Sequence, residues 1–566
     1  MNPGHLFVVN GRLESLSADA VIIPTDAGFH VERWWRGAAG LPPEGTWASL
    51  KPIGWERGSA LPARAPRRSG RRQPEVWFLD TIASTPAGVG DSARRAVAAV
   101  VERSVDLLWS SARESGRDVP LIALPVIGTG YGGHRLRRGQ VITQLLTSLH
   151  DVARTVGVDV ALVASNRADY SALQHGRRAL GHESGLGVED TARAARLGRY
   201  AADGDLALFF GAGVSIAAGL PSWSRLLTEL VARLDLDEDV VRRIDDLGPL
   251  EQAELVQVAL ADHSARAKAD TQKALGSRVA TIIRAASTRP SLAHTLLASM
   301  RVREAATTNY DQLYEAAVRA TARSQADEQG SAVDVLPWDR TSAGRPWLLK
   351  MHGDVDHPDS IVLSRSSFVH YDSRWKPVGS LVQSLMLTKH LLVVGASMTD
   401  DNLLRFAYEV AGLRASIQTS GSAAPEIGTV VHLADDAAFS RLWKGRFDVV
   451  VPTIGTDSRD PVGSQDARLS APHPEETGDE RREREASERR RAARALTVFL
   501  DVVAMHVERD APHLLDDRYA EERAGDAAHL VARVREVAAE ARRIGDEDAW
   551  AQLADMLDQF GAGTRT

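Results

Sequence analysis

Apolar residues fall along this chain in two alternating rhythms. Short runs at Leu6–Val9, Ala20–Ile23, Val76–Leu79, Leu121–Leu124 and Val160–Val163 predict buried strands, and stretches with helical spacing at 91–115 and 139–156 lie between them. This alternation predicts an α/β domain with a mixed sheet over 1–180. The rhythm resumes at Leu206–Phe210 and continues through Val302–Thr307, Trp347–Lys350, Ser360–Leu363, His390–Gly395, Gly428–Leu433 and Phe447–Val451. These segments predict a second α/β unit over 200–455, a doubly wound, largely parallel sheet. Helical patterning from Ser224 to Met300 interrupts it, with Leu226, Leu227, Leu230, Val231 and Leu234 on one buried face. Gly181–Gly187 reads as a linker, and polar residues 457–477, with prolines at 461, 472 and 474, as a second one. Three further amphipathic stripes predict a small helical bundle over 478–566.

Composition narrows the chemistry. A chain of 566 residues with 44% hydrophobic and 25% charged positions is an ordinary folded protein of several domains, and a net charge of -7 argues against a general nucleic-acid binder. The chain has no cysteine, which excludes disulfides, thiolate zinc sites, iron–sulfur clusters and cysteine nucleophiles. There is no apolar run of about 18 residues and no signal-like N-terminus, so no membrane is expected and the expected location is cytoplasmic. Arg64, Arg67, Arg68, Arg71 and Arg72 read as a solvated hairpin loop.

Two glycine turns follow strands, where backbone N–H groups and a new helix end suit a phosphate. One is Gly128-Thr129-Gly130-Tyr131-Gly132-Gly133, and the other is Gly211-Ala212-Gly213 with Ser215 behind it. Polar clusters follow the later strands, at Thr307–Asp311, Lys350–Asp354 and Gly395–Asn402, where a doubly wound sheet binds its ligands.

The N-terminal unit resembles the macro domain family, whose members bind ADP-ribose. The resemblance lies in Gly11–Ile23, Gly58–Ala60 and the 124–133 loop. The family's Asn-Ala-Ala-Asn run is replaced here by Pro24–His30. The resemblance implies a second ligand site at Gly128, Thr129, Gly130, Tyr131 and Gly132 for an ADP-ribose-derived signalling nucleotide. The central unit resembles the sirtuins through Gly211–Ser215, Ala218–Ser222, Thr307–Asp311, His352-Gly353 and Gly395–Ser397, in that order. Within that superfamily Ser360–Phe368 and Asp400–Asn402 are similar to the NAD-cleaving effectors of bacterial antiphage defence, such as the Thoeris NAD hydrolases. His432 stands where sirtuins usually have an Asn.

This resemblance implies a fold of macro-like mixed sheet, sirtuin-like doubly wound sheet and helical bundle, and an NAD glycohydrolase with NAD as substrate and no metal. It also implies catalytic roles for Asn309, His352 and Asp311, and NAD contacts from Gly211, Ala212, Gly213, Ser215, Gly395, Ser397 and Asn402. Asn309 would orient ribose and water, Asp311 would lie near nicotinamide, and His352 would act on the ribose hydroxyls or as general base. His294 and His357 read as structural or surface residues. A homo-oligomer is expected. Two other readings stay open at this point: a protein ADP-ribosyltransferase or deacylase with a macro reader, and a silent nucleotide-binding module that assembles partners.

Overall fold

The computed structural model describes residues 3–41, 44–53, 55, 62–66, 73–81, 85–129, 134, 137–234, 243–264, 271–286, 289–321, 332–417, 425–455, 477–522, 526–544, 550 and 557. The first sheet holds β1 (Leu6–Asn10), β2 (Ala20–Thr25), β3 (Ala63–Arg64), β4 (Glu75–Asp80), β5 (Leu121–Pro125) and β6 (Asp159–Ala164), in the order β1-β6-β5-β2-β4-β3. All pairings are parallel except β3 with β4, so the sheet is mixed.

The second sheet is parallel throughout. It runs β13-β12-β11-β7-β8-β10-β9, with β7 at Leu206–Phe210, β8 at Glu304–Thr307, β9 at Asp334–Leu336, β10 at Trp347–Lys350, β11 at His390–Val394, β12 at Gly428–Val431 and β13 at Phe447–Val450. After β7 the chain lays β8 on one side, and after β10 it crosses to lay β11 on the other. The carboxyl end of β7 is therefore a switch point, where loops diverge and leave a crevice. The segment 360–363, expected as a strand, is instead a 3-10 turn and an irregular run; its one backbone tie toward the sheet is Val362 N–H donating to the His352 carbonyl.

Strand periodicity explains how the two sheets meet. Phe7 and Val9 of β1 and Val21 and Ile23 of β2 join one core with Leu206, Leu208 and Phe210 of β7, while their alternate neighbours face away into separate cores. Helices Val188–Asp203, Leu292–Ser299 and Gly478–Val507 contribute to the shared core, the last through Phe499, Leu500 and Val503. Thr477 and Glu480 close a reciprocal capping box that starts this last helix. Its buried half lies between the sheets, with Arg494 on Asp159 at 2.7 Å and Asp501 held by Arg177 and His5 at 2.6 and 2.8 Å. The inserted helices Trp223–Val231, Pro249–Ser264 and Thr271–Ala286 form a satellite core with Tyr310, Val355, Ile361 and Leu363.

Candidate active site

The turn of Gly211–Gly213 and the three polar clusters sit at the carboxyl ends of β7, β8, β10 and β11, four neighbouring strands. Glycine is required at the first turn because two loops touch backbone to backbone there. A Cβ on Gly211 would lie 2.8 Å from the Gly395 carbonyl oxygen, one on Gly213 would lie 2.8 Å from Gly395 Cα, and Gly395 itself has φ +65°. The N–H groups of Gly211 and Gly213 donate to Val394 O and Gly395 O at 3.0 and 2.9 Å, so these two amides hold the loops together instead of facing outward as a phosphate cradle. Ala212 and Gly213 are exposed.

Behind the turn, Ser215 is buried at the centre of a polar network. Its hydroxyl donates to Asp311 Oδ2 at 2.9 Å, accepts from Asn309 Nδ2 at 3.1 Å and lies 3.3 Å from His294 Nε2. Asn309 Nδ2 also donates to Gly211 O at 3.2 Å; a carbonyl can only accept, which fixes the orientation of the amide. Asn309 Oδ1 is left buried without a partner among the described residues. Asp311 uses its other oxygen to accept from Leu313 N–H at 3.0 Å, starting helix Leu313–Thr321. Both carboxylate oxygens are thus engaged within the protein, and Asp311 is a positioning group in this geometry.

His294 is a member of this network that sequence reasoning passed over. It opens helix Leu292–Ser299 in a capping box with Ser291, whose hydroxyl donates to Val214 O at 2.7 Å. Burial holds the imidazole down at about 4; Asp311 pulls it up and Lys350 pushes it further down. The Ser-x-x-His spacing ahead of an apolar run was the available signal.

On β10, Lys350 is fully buried with Glu315 at 2.8 Å and Asp354 at 3.0 Å, and it also donates to the Asp311 carbonyl. Burial opposes its charge, but the two carboxylates outweigh that and hold the ammonium above its usual range. Two residues on, His352 is buried in T-shaped contact with Phe368 and Tyr371, with ring centroids 5.1 and 6.2 Å away. Its Nε2 lies 3.3 Å from Asp400 Oδ2 but is not aligned for a hydrogen bond, so it too lacks a partner. Desolvation lowers the His352 pKa, and Asp400 opposes that shift.

The third loop carries Ser397, Asp400 and Asn402. Asn402 is buried with Nδ2 unpartnered among the described residues, whereas Ser397 is exposed and bonds only its neighbour Thr399, at 2.7 Å. Between them Met398 is buried with φ +55°, a conformation that costs a non-glycine residue about 1–2 kcal/mol. His432 is stacked on Phe439 at 4.3 Å and hydrogen-bonds Ala434 O at 2.8 Å.

Asn309 Oδ1, His352 Nε2 and Asn402 Nδ2 are thus buried polar atoms without partners among the described residues, beyond the ends of the neighbouring strands β8 and β10 and of β11 across β7. Such atoms are costly unless something else satisfies them.

Residues 303–446 match the SIR2-like domain family. Three curated relatives, all named NAD(+) hydrolase ThsA, are similar to this chain. The Bacillus cereus (strain MSX-D12) protein is 30% identical over 216 residues, 36% of this chain and 40% of that protein. The Acinetobacter baumannii (strain 532279) protein is 28% identical over 206 residues, 36% of this chain and 38% of its own. The Enterococcus faecium protein is 27% identical over 216 residues, 37% and 40% respectively. The chain therefore spans about two-fifths of the length of the curated relatives it matches. A solved macrodomain from Oceanobacillus iheyensis aligns over 32% of this chain and 94% of its own, with 13% identity and a TM-score of 0.22, too low to carry an argument. The SIR2-like match takes in the strand ends that bear Asn309, Asp311, His352, Ser397 and Asn402; the turn of Gly211–Ser215 lies before it in sequence and beside it in space.

In the first sheet, Gly128 has φ +77° and a Cβ there would lie 2.7 Å from Val89. Thr129 is buried, and its carbonyl accepts from Arg138 Nη1 at 3.2 Å, while Arg138 also grips Asp169 with two bonds of 2.5 Å. Gly130, Tyr131, Gly132 and Gly133 lie outside the described residues, as do Gly58–Ala60 and four of the five arginines of 64–72. Among the described residues no group of three His, Asp or Glu side chains is arranged to hold a metal, and no helix is long and apolar enough to cross a membrane.

Proposed function

We propose that this chain hydrolyses NAD to nicotinamide and ADP-ribose at the switch point of its SIR2-like sheet, as an effector of antiphage defence. The observation that carries the reading is the unpartnered buried Asn309 Oδ1, at the end of the strand beside the one that leads to the buried His352. The name shared by the three relatives points to the same chemistry.

Breaking the C1′–N bond sends its electron pair to nicotinamide and leaves oxocarbenium character on the ribose, which an oriented polar group and a positioned water can capture. Asn309, fixed by Gly211 and Ser215, presents Oδ1 to the ribose and the incoming water. His352, kept neutral by burial, accepts the proton as the water oxygen bonds to C1′. Asp311 acts through Ser215, which it orients. Ala212, Gly213, Gly395, Ser397 and Asn402 contact the rest of the dinucleotide, with Gly211 as the close-packed floor.

A macro-like domain over 1–180, an NAD-cleaving domain over 200–455 and the helices of 478–566 divide the work in this reading. The first domain takes an ADP-ribose-derived nucleotide at the loop that begins with Gly128 and Thr129, and a homo-oligomer in the cytoplasm is the working form. Purified protein incubated with NAD, with and without ADP-ribose derivatives, tests the reading. Nicotinamide release that His352→Ala abolishes is the expected result. Tight NAD binding without turnover under every condition would leave a nucleotide-binding module, and NAD-dependent modification of protein acceptors would identify a transferase.

A further inference from the structure

Asp400 ties the third loop to His352. Its Oδ1 accepts from the N–H groups of Asn402 and Leu403 at 3.1 and 2.9 Å, so it caps helix Asp401–Ile417. The cap fixes the carboxylate's rotation, and the helix amides favour its negative charge. The other oxygen, Oδ2, faces His352 Nε2 at 3.3 Å. The carboxylate is 17% exposed and the imidazole 3%, so the two groups interact away from bulk water, where their attraction is weakly screened.

Among the described residues, no other charged group acts on the ring. Phe368 and Tyr371 meet it in T-shaped ring contacts, and the Tyr371 hydroxyl donates to Met351 O at 3.3 Å. Burial pushes that phenol above its usual range, so it stays neutral. Arg405, on the helix that Asp400 caps, is committed to Asp372 at 2.6 Å. Asp400 is the charged group that faces the imidazole.

We propose that Asp400 is the positioning residue of His352: once substrate closes the site, its Oδ2 accepts the Nε2 proton and leaves the basic lone pair on Nδ1. Hydrogen bonds in such sites commonly tighten only when substrate is bound. A carboxylate behind an imidazole fixes its tautomer and favours its protonated form, which offsets the burial that otherwise weakens His352 as a base. The inference rests on the reading of His352 as the base in NAD hydrolysis.

Asp400→Asn separates charge from cap, since Asn caps a helix about as well as Asp. Asp400→Ser, which also caps, is the second uncharged variant should the first fold poorly. Nicotinamide release is followed against pH for the wild type and both variants, and the His352 ring is titrated by NMR in histidine-labelled protein, with His352→Gln identifying its signal. The expected result is a kcat lower by about tenfold or more with little change in KM. The acid limb of kcat/KM and the His352 titration should both move to lower pH. A residue that merely capped the helix would move neither. An unchanged acid limb and an unchanged titration in the folded variants would overturn the proposal. A wild type that releases no nicotinamide at any pH refutes the NAD reading instead, while the titration still decides whether Asp400 acts on His352.

Discussion

Asn309 donates to Ser215 Oγ through Nδ2 at 3.1 Å while its own Oδ1, on the same buried amide, meets no partner among the described residues. One half of the side chain is locked and the other is held open. Replacing Asn309 with Ala removes the open half, and kcat for nicotinamide release should fall by about 10²–10³-fold. Circular dichroism should show the same fold, because the substitution also removes a buried orphan acceptor. A variant with near-wild-type turnover would show that the amide is not aimed at the reacting centre.

Burial holds His294 neutral, with its pKa lowered to about 4. The unfolded chain binds a proton there below about 6.5, whereas the folded one resists it. The stabilisation is therefore complete above about pH 6.5 and is lost progressively as pH falls toward 4. His294→Gln should flatten the dependence of unfolding free energy on pH across that window, read by urea denaturation at several pH values. A variant as pH-sensitive as the wild type would assign the loss to other groups.

Asp501 stands between the sheets. Burial works against its charge, but Arg177 and then His5 outweigh that and leave the carboxyl below its usual range. Its contribution to stability is present above about pH 4 and lost as pH falls through the lowered value. Asp501→Ala strands Arg177 in the core and should cost about 3–5 kcal/mol at neutral pH, measured as a drop in the urea midpoint. The loss should narrow in acid.

Two glycines in neighbouring segments should respond in opposite ways. Gly395→Ala places a Cβ 2.7 Å from Val214 N at φ +65°, so it should destabilise the protein and raise KM for NAD as the two loops part. Gly412 lies inside helix Asp401–Ile417 with nothing near its added Cβ, and Gly412→Ala should stabilise by about 0.5–1 kcal/mol with turnover unchanged. Thermal midpoints and Michaelis plots of the two variants check the contrast.

Much of the fold was legible because its strands are uninterrupted apolar runs. Leu206–Phe210 and Leu391–Val394 are apolar runs buried on both faces, each followed directly by a glycine turn. Ser360–Leu363 imitated a strand because it too is buried, but it is buried under the inserted helices and not in a sheet. Two short strands escaped: Ala63–Arg64 is only two residues long, and Asp334–Leu336 lies at an edge.

The same division holds at the site. Asn309 and His352 stood out by type and position after a strand. The glycines also stood out, but sequence could not say that their amides serve the contact between loops, because that contact joins residues 211–213 to residue 395. Asp400 read as one of two adjacent aspartates, and only the direction of its second oxygen distinguishes it from Asp401. His294 read as a structural or surface residue for the same reason: its place in the network depends on a serine 79 positions away.

The helix Gly478–Val507 fills the seam between the two sheets although it follows both in the chain. Synthesis from the N-terminus therefore yields both sheets before the piece that lies between them. Until Phe499 and Asp501 are in place, the core that Phe499 shares with Phe7 and Leu206 is incomplete, Arg177 lacks its counter-ion and His5 a hydrogen-bond partner. The core that the two sheets share is thus completed only after both have been made, by a helix that follows them in the chain.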